Sequence, residues 1–249
     1  MATAIDVMSQ FKLDTVLGPV GASVGFTQSN LAMIVVCVLI LLLMHVGMAP
    51  RAVVPGRLQS AAEMIYNFVH KMCLDEIGHE GKAFFPFIFT LFAFILFANM
   101  YGLIPYQFEV TSHIAITGAL ALFVVGFATL VGLRLHGWHF FSFFLPKGLP
   151  ILLAPLIVAV EVISYLSRPV SLSFRLFANM MSGHVVFEVF ASFMVVMATS
   201  LGVVGYILAV GPFALDTILT GFELLIDVLQ AYVFAVLACM YISDAVHLH

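Results

Sequence analysis

Residues 150–201 read PILLAPLIVAVEVISYLSRPVSLSFRLFANMMSGHVVFEVFASFMVVMATSL. The stretch has no polar loop, and its only charged side chains are Glu161, Arg168, Arg175 and Glu188. As one helix it would be about 75 Å long at about 1.5 Å per residue, against a hydrocarbon layer of about 30 Å. It therefore either tilts steeply or breaks near Arg168-Pro169, because a proline disfavours helix in the residue before it. Gly202, Gly205 and Gly211-Pro212 read as a turn. Residues 213–247 then form a second overlong arm, carrying Asp216, Glu223, Asp227 and Asp244. The two arms are expected to pair as a polar-lined helical hairpin.

The remainder of the chain sets this hairpin in a membrane. Of 249 residues, 63% are hydrophobic and only 9% charged, where a soluble domain carries about 25%. The mean hydropathy is +1.16. These values exclude a soluble enzyme and a disordered chain, and a net charge of −4 lacks the basic face of a nucleic-acid binder. Charge-free gaps place ordinary spans at residues 31–49, 84–104 and 114–133. They show no alternation, so they read as helices and not barrel strands. Between the first two, Leu58, Ala61, Ala62, Ile65, Phe68, Val69 and Met72 recur at helical spacing. That pattern predicts an interfacial amphipathic helix over residues 57–74. Asp75, Glu76, His79 and Glu80 read as a solvated loop after it.

The expected architecture is an all-α polytopic membrane protein. Residues 1–30 form an outer-side segment and residues 31–249 a single membrane domain. Arg51, Arg57, Lys71 and Lys82 lie between spans one and two, Arg134 and Lys147 lie after span three, and the loop 105–113 has neither Lys nor Arg. By the positive-inside rule the N-terminus is outside, and with a hairpin that crosses twice the C-terminus is cytoplasmic. The first apolar run has no basic region ahead of it and no cleavage site after it, so no signal peptide is read. Cys37, Cys73 and Cys239 form no motif that suggests a disulfide framework or a zinc site, and no cofactor is expected.

The charges inside the arms carry the functional reading, since intramembrane ionisable groups line water or face a partner. Glu161, Arg168, Arg175 and Ser182 recur every seven residues, as do Asp216, Glu223 and Gln230, so each set forms a slowly drifting stripe on its helix. Ser171 and Asn179 flank Arg175 at i−4 and i+4, and Arg175 has no acid at i±3 or i±4. Arg168, nearer the cytoplasmic end, fits a snorkelling arginine. His184 falls on the face opposite Arg175, with Glu188 one turn on. Two polar faces at different depths suit two separate aqueous paths. A His184–Glu223 pair across the hairpin would suit proton uptake, because histidine titrates near neutrality. Glu109 and His113 read as solvated on the outer side, His136, Trp138 and His139 as interfacial anchors, and Asn99 as a capping or packing residue.

Three stretches bear a family likeness. Pro169-Val170-Ser171-Leu172-Ser173-Phe174-Arg175-Leu176-Phe177-Ala178-Asn179-Met180 closely resembles the signature of the subunit a family of F-type ATP synthases. Leu229-Gln230-Ala231-Tyr232-Val233-Phe234, with the run to Tyr241-Ile242-Ser243, resembles its C-terminal signature, and Asn99-Met100-Tyr101-Gly102-Leu103-Ile104-Pro105 a third stretch. The likeness covers residues 31–243. It implies a bacterial inner-membrane stator beside a rotating ring of small hairpin subunits, each with one carboxylate. The long arms would lie steeply tilted along that ring, with peripheral-stalk b-type subunits and lipid as further partners. Arg175 would face the ring and prevent proton short-circuit between two half-channels, with Asn179 in its surround. His184 and Glu223 would form the outer half-channel, with Gln230 opposite the arginine. Glu161 and Ser171 would serve the cytoplasmic half-channel, and Asp227 and Glu188 are further candidates. Histidine on the first arm and acid on the second resembles alphaproteobacterial and mitochondrial members. Ala178 stands where many members have glycine. The transported ion would be H⁺ rather than Na⁺, and the chain would do no covalent chemistry alone. The rival readings are a transporter with an anion-binding Arg175 and a membrane subunit of a redox complex. The absence of an internal repeat weakens the first, and the absence of stacked histidine pairs in the first three spans weakens a bis-His haem site.

Overall fold

The computed structural model describes residues 26–48, 55–104, 107–144, 153–200 and 202–247. Residues 1–25, Arg51, Pro105 and Lys147, used in the expectations above, lie outside the described residues. The described residues are helical apart from short connections, chiefly residues 107–113, and form no strand. The helices are α1 (Gln28–Met48), α2 (Arg57–Ile77), α3 (Gly81–Gly102), α4 (Ile114–His136), α5 (Ala154–Ser200) and α6 (Gly202–Val246). Short 3₁₀ segments, Gly78–Glu80 and Gly137–Phe144, follow α2 and α4. Five stretches are long and apolar enough to cross a membrane: Gln28–Met48, Arg57–Gly102, Ile114–Phe140, Ala154–Ser200 and Val204–Val246.

Two expectations about the arms change. The helix does not break at Arg168-Pro169: α5 runs unbroken for 47 residues with Pro169 inside it. The expected turn over Gly202–Pro212 shrinks to its first residues. Gly202 takes φ +59°, a left-handed conformation open to glycine at little cost. Gly205, Gly211 and Pro212 are already helical in α6. In hydrocarbon no water competes for the backbone, so breaking the helix would forfeit more hydrogen bonds than the one a proline removes, and glycine and proline are tolerated there that would end a soluble helix.

The chain divides into two compact units, through which α1, α3, α5 and α6 each pass. Of the described residues, the first holds those up to 40 and those within 94–113 and 177–230, and the second those within 41–93, 114–176 and 231–247.

The second unit is packed through small residues and aromatic rings. On α6, Ala231, Ala235, Ala238, Cys239 and Ile242 are fully buried, a small-residue stripe that permits close helix approach. Cys239 of α6 and Cys73 of α2 are both buried free thiols. Phe87 stacks on Phe127 at 4.1 Å, and Phe85 meets Tyr66 edge-on at 4.8 Å. α4 runs antiparallel to the start of α5: the Thr117 and Ser173 hydroxyls lie 3.2 Å apart, and the Thr129 and Tyr165 hydroxyls also bond. The inward stripe of α2 is rotated from the expected one. Gln59, Ala62, Val69, Met72, Cys73 and Ile77 are buried, whereas Leu58 and Phe68 are exposed. The cost of burying Gln59 is offset in part because its amide donates to Glu63 Oε1 at 2.8 Å. Asp75 and Glu76, expected in a loop, belong to the last turn of α2 and are exposed.

In the first unit the interior is polar. Ala32 and Val36 of α1, Ile95 and Ala98 of α3, and Met180 of α5 are buried, and so are Asn99, Glu109, Thr111, Ser112, Glu223, Asp227 and Gln230.

Candidate proton-transfer site

The polar centre of the first unit is assembled from α5, α6, the end of α3 and the segment 107–113. His184 Nε2 lies 2.9 Å from Glu109 Oε2, and the Glu109 side chain is only 4% exposed. This corrects the expectation that Glu109 is solvated. A carboxylate in a short polar loop reads as wet, but here it is buried against an imidazole from a distant helix. A charge buried in this way needs its partner. Thr111 Oγ1 donates to Asn99 Oδ1 at 2.9 Å and lies 3.4 Å from Glu109 Oε1, while Ser112 Oγ donates to the Glu109 carbonyl at 2.9 Å. Asn99 Nδ2 in turn reaches the Asp227 carbonyl at 3.4 Å. Asn99 is thus a buried tie between α3 and α6, which bears out its packing role. His113 stacks on Phe108 at 5.0 Å, and burial holds its imidazole below its usual pKa against the opposing pull of Glu109.

Glu223 is buried against Gly183. A Cβ added at Gly183 would stand 2.0 Å from Glu223 Oε1, so only glycine leaves room for that carboxylate. The expected His184–Glu223 pair is therefore not a direct one. The imidazole contacts Glu109, and Glu223 and Asp227 lie close enough to feel its charge. Neither Glu223 nor Asp227 has a hydrogen-bond partner for its carboxylate oxygens among the described residues. A cavity of about 160 Å³ opens beside Glu223, lined by Asn179, Ser182 and Gly183 among apolar side chains. It has the size to hold water, and Asn179, Ser182 and Glu223 are its polar groups.

Along α6 the usual pattern is inverted. Between residues 221 and 230 the buried positions are Glu223, Asp227 and Gln230, while Phe222, Leu224, Leu225, Val228 and Leu229 are exposed. Such a helix keeps its polar stripe inward and presents apolar surface to lipid or a partner helix.

The second unit holds the two arginines differently. Arg168 Nη1 donates to Asp244 Oδ2 at 3.0 Å, and its guanidinium lies 5.2 Å from the Tyr165 ring centroid and 5.1 Å from that of Tyr241. Spacing had suggested only a snorkelling side chain, since Asp244 is on the other arm. Arg175 is exposed in the middle of α5, as are Ser171 and Phe174, and it forms no ion pair among the described residues. Glu161 is half-buried near the start of the helix, Asn179 and Glu188 are half-buried in the first unit, and Asp216 is half-buried on α6.

These features define a class: a polytopic helical membrane protein with a buried acid–base cluster and an unpaired arginine on an apolar helix. The family model for the ATP synthase A chain matches residues 30–243. Proteins named ATP synthase subunit a are similar over 98–99% of this chain and 98% of their own length: 58% identical from Granulibacter bethesdensis, 55% from Gluconacetobacter diazotrophicus and 53% from Acidiphilium cryptum. The chain belongs to the ATP synthase A chain family.

Proposed function

We propose that this chain is the proton-translocating stator subunit of the membrane sector of a bacterial ATP synthase, a multi-pass protein of the inner membrane. The observation that carries the reading is Arg175, exposed and without an ion pair among the described residues on a long apolar helix. An arginine at the centre of a membrane helix costs about 2.5–3.5 kcal/mol on insertion scales, so it calls for an anionic partner. A carboxylate on each subunit of a moving ring, paired transiently with Arg175, supplies that partner.

In this reading the two long arms lie tilted along the ring, α2 lies at the membrane interface, and α1, α3 and α4 are ordinary spans. The outer half-channel runs through Glu109, His184 and Glu223 towards Gln230, with Asn179 at the arginine's flank. The buried pair, the electrostatic reach between His184 and Glu223, and the cavity beside Glu223 support that path. Glu161 and Ser171 belong to the cytoplasmic half-channel. A proton entering from outside neutralises a ring carboxylate, the neutral site turns through lipid, and the proton leaves on the cytoplasmic side. Arg175 then holds the bare carboxylate and keeps the half-channels from exchanging protons directly. The membrane potential contributes about 2.3 kcal/mol per charge per 100 mV. ATP chemistry belongs to partner subunits.

The test is Arg175→Ala in the assembled complex. ATP-driven acidification of inverted vesicles, followed with a pH-sensitive dye, is expected to vanish while the subunit remains in the membrane. Pumping at the wild-type rate would overturn the proposal.

A further inference from the structure

Asp227 is the most deeply buried acid of the cluster, 1% exposed, and both its carboxylate oxygens lack a hydrogen-bond partner among the described residues. Its backbone is tied down, since its carbonyl accepts the Asn99 amide. Structural carboxylates that are buried are held by donors, and this one is not. It stands one helical turn beyond Glu223 and three residues before Gln230, on the same buried stripe of α6. The titratable groups that act on it are Glu223 from its own helix, His184 from α5 and Glu109 from the segment 107–113. We infer that Asp227 is a second proton-carrying carboxyl of the outer path, taking the proton from Glu223 and passing it on towards Gln230.

This inference rests on the proton-path reading of the cluster and adds a step to it. A single acid at Glu223 would have to deliver its proton across the roughly two turns of α6 that separate it from Gln230 unaided. A carboxyl with one free oxygen to accept and, once protonated, one hydroxyl to donate divides that transfer into two shorter ones. No bond other than O–H is made or broken: the proton leaves Glu223 as Asp227 gains it, Asp227 then releases it onward to the ring carboxylate, and Glu223 is reloaded from the outer side. The isosteric amide in Asp227→Asn cannot take up and release a proton in this way, whereas glutamate can.

The experiment uses the whole complex in membranes, with subunit content checked by immunoblot. Passive proton conduction is measured across pH after removal of the catalytic sector. Asp227→Asn is expected to lower conduction about tenfold and to change its pH profile, with Asp227→Glu restoring both; Glu223→Gln is expected to lower it about a hundredfold. If Asp227→Asn conducts with the wild-type rate and pH profile while Glu223→Gln is blocked, the relay step is wrong and the proton path stands. If Asp227→Asn and Asp227→Glu are equally impaired with an unchanged pH profile, Asp227 is a packing residue and the relay is again wrong. If Glu223→Gln conducts normally, the path itself fails.

Discussion

Gly183 has no room for a side chain, and that constraint connects one residue to the proposed proton path. A methyl group there would overlap the Glu223 carboxylate, 2.0 Å away. Gly183→Ala is therefore expected to fold and insert, since alanine suits a helix better than glycine, while displacing the acid. A misplacement of about 1 Å at a reacting group can cost about a hundredfold, so proton conduction should fall by about that factor. Conduction close to wild type, measured beside an unchanged amount of subunit in the membrane, would remove Glu223 from its assigned position. The value of Gly183 was not legible in the sequence, because the carboxylate it makes room for lies forty residues on, on the other arm. Glu109 was hidden for a different reason. Its partner His184 is remote along the chain, and a loop acid gives no local sign of burial. The order Glu109-Val110-Thr111-Ser112, an acid followed closely by two hydroxyls, was the one available hint of a local polar cluster.

At the scale of the helices, the two arms are joined in the second unit by Arg168 and Asp244. The pair is partly exposed, with side-chain exposures of 21% and 44%, so its worth is about 1 kcal/mol with the two tyrosine rings included. Arg168→Ala and Asp244→Ala should each destabilise the complex by roughly that amount. The double variant should cost little more than either single one, as thermal unfolding in detergent would register. Fully additive losses would show that the two do not act together. The arms were foreseeable as overlong helices from the spacing of their charges. Their ends were not: the continuity of α5 through Pro169 and the early start of α6 at Gly202 depend on the helix satisfying its own backbone in a medium without water. The rotated stripe of α2 has a similar origin, because burial of Gln59 is settled by its bond to Glu63, a contact no hydropathy pattern contains.

On the scale of the whole molecule, the chain presents apolar surface where a soluble protein would be polar and collects polar groups where a soluble protein would be apolar. It is unfinished without lipid and partners. The purified subunit alone in liposomes is therefore expected to pass neither protons nor solutes. Proton conduction should appear only when the ring of small subunits is reconstituted with it, and solute uptake by the chain alone would favour the transporter reading. The sequence by itself determined the helical membrane class, the existence of two long arms and the family. Hydropathy and helical periodicity are local properties, and the arginine motif is contiguous. Only the tertiary structure decided that His184 pairs with Glu109, that Glu223 lies on Gly183, that Asn99 ties down Asp227 and that Arg168 finds Asp244. Each of these joins residues far apart in sequence, and the desolvation of a charge is a property of the surroundings that the fold creates, not of the residue that bears it.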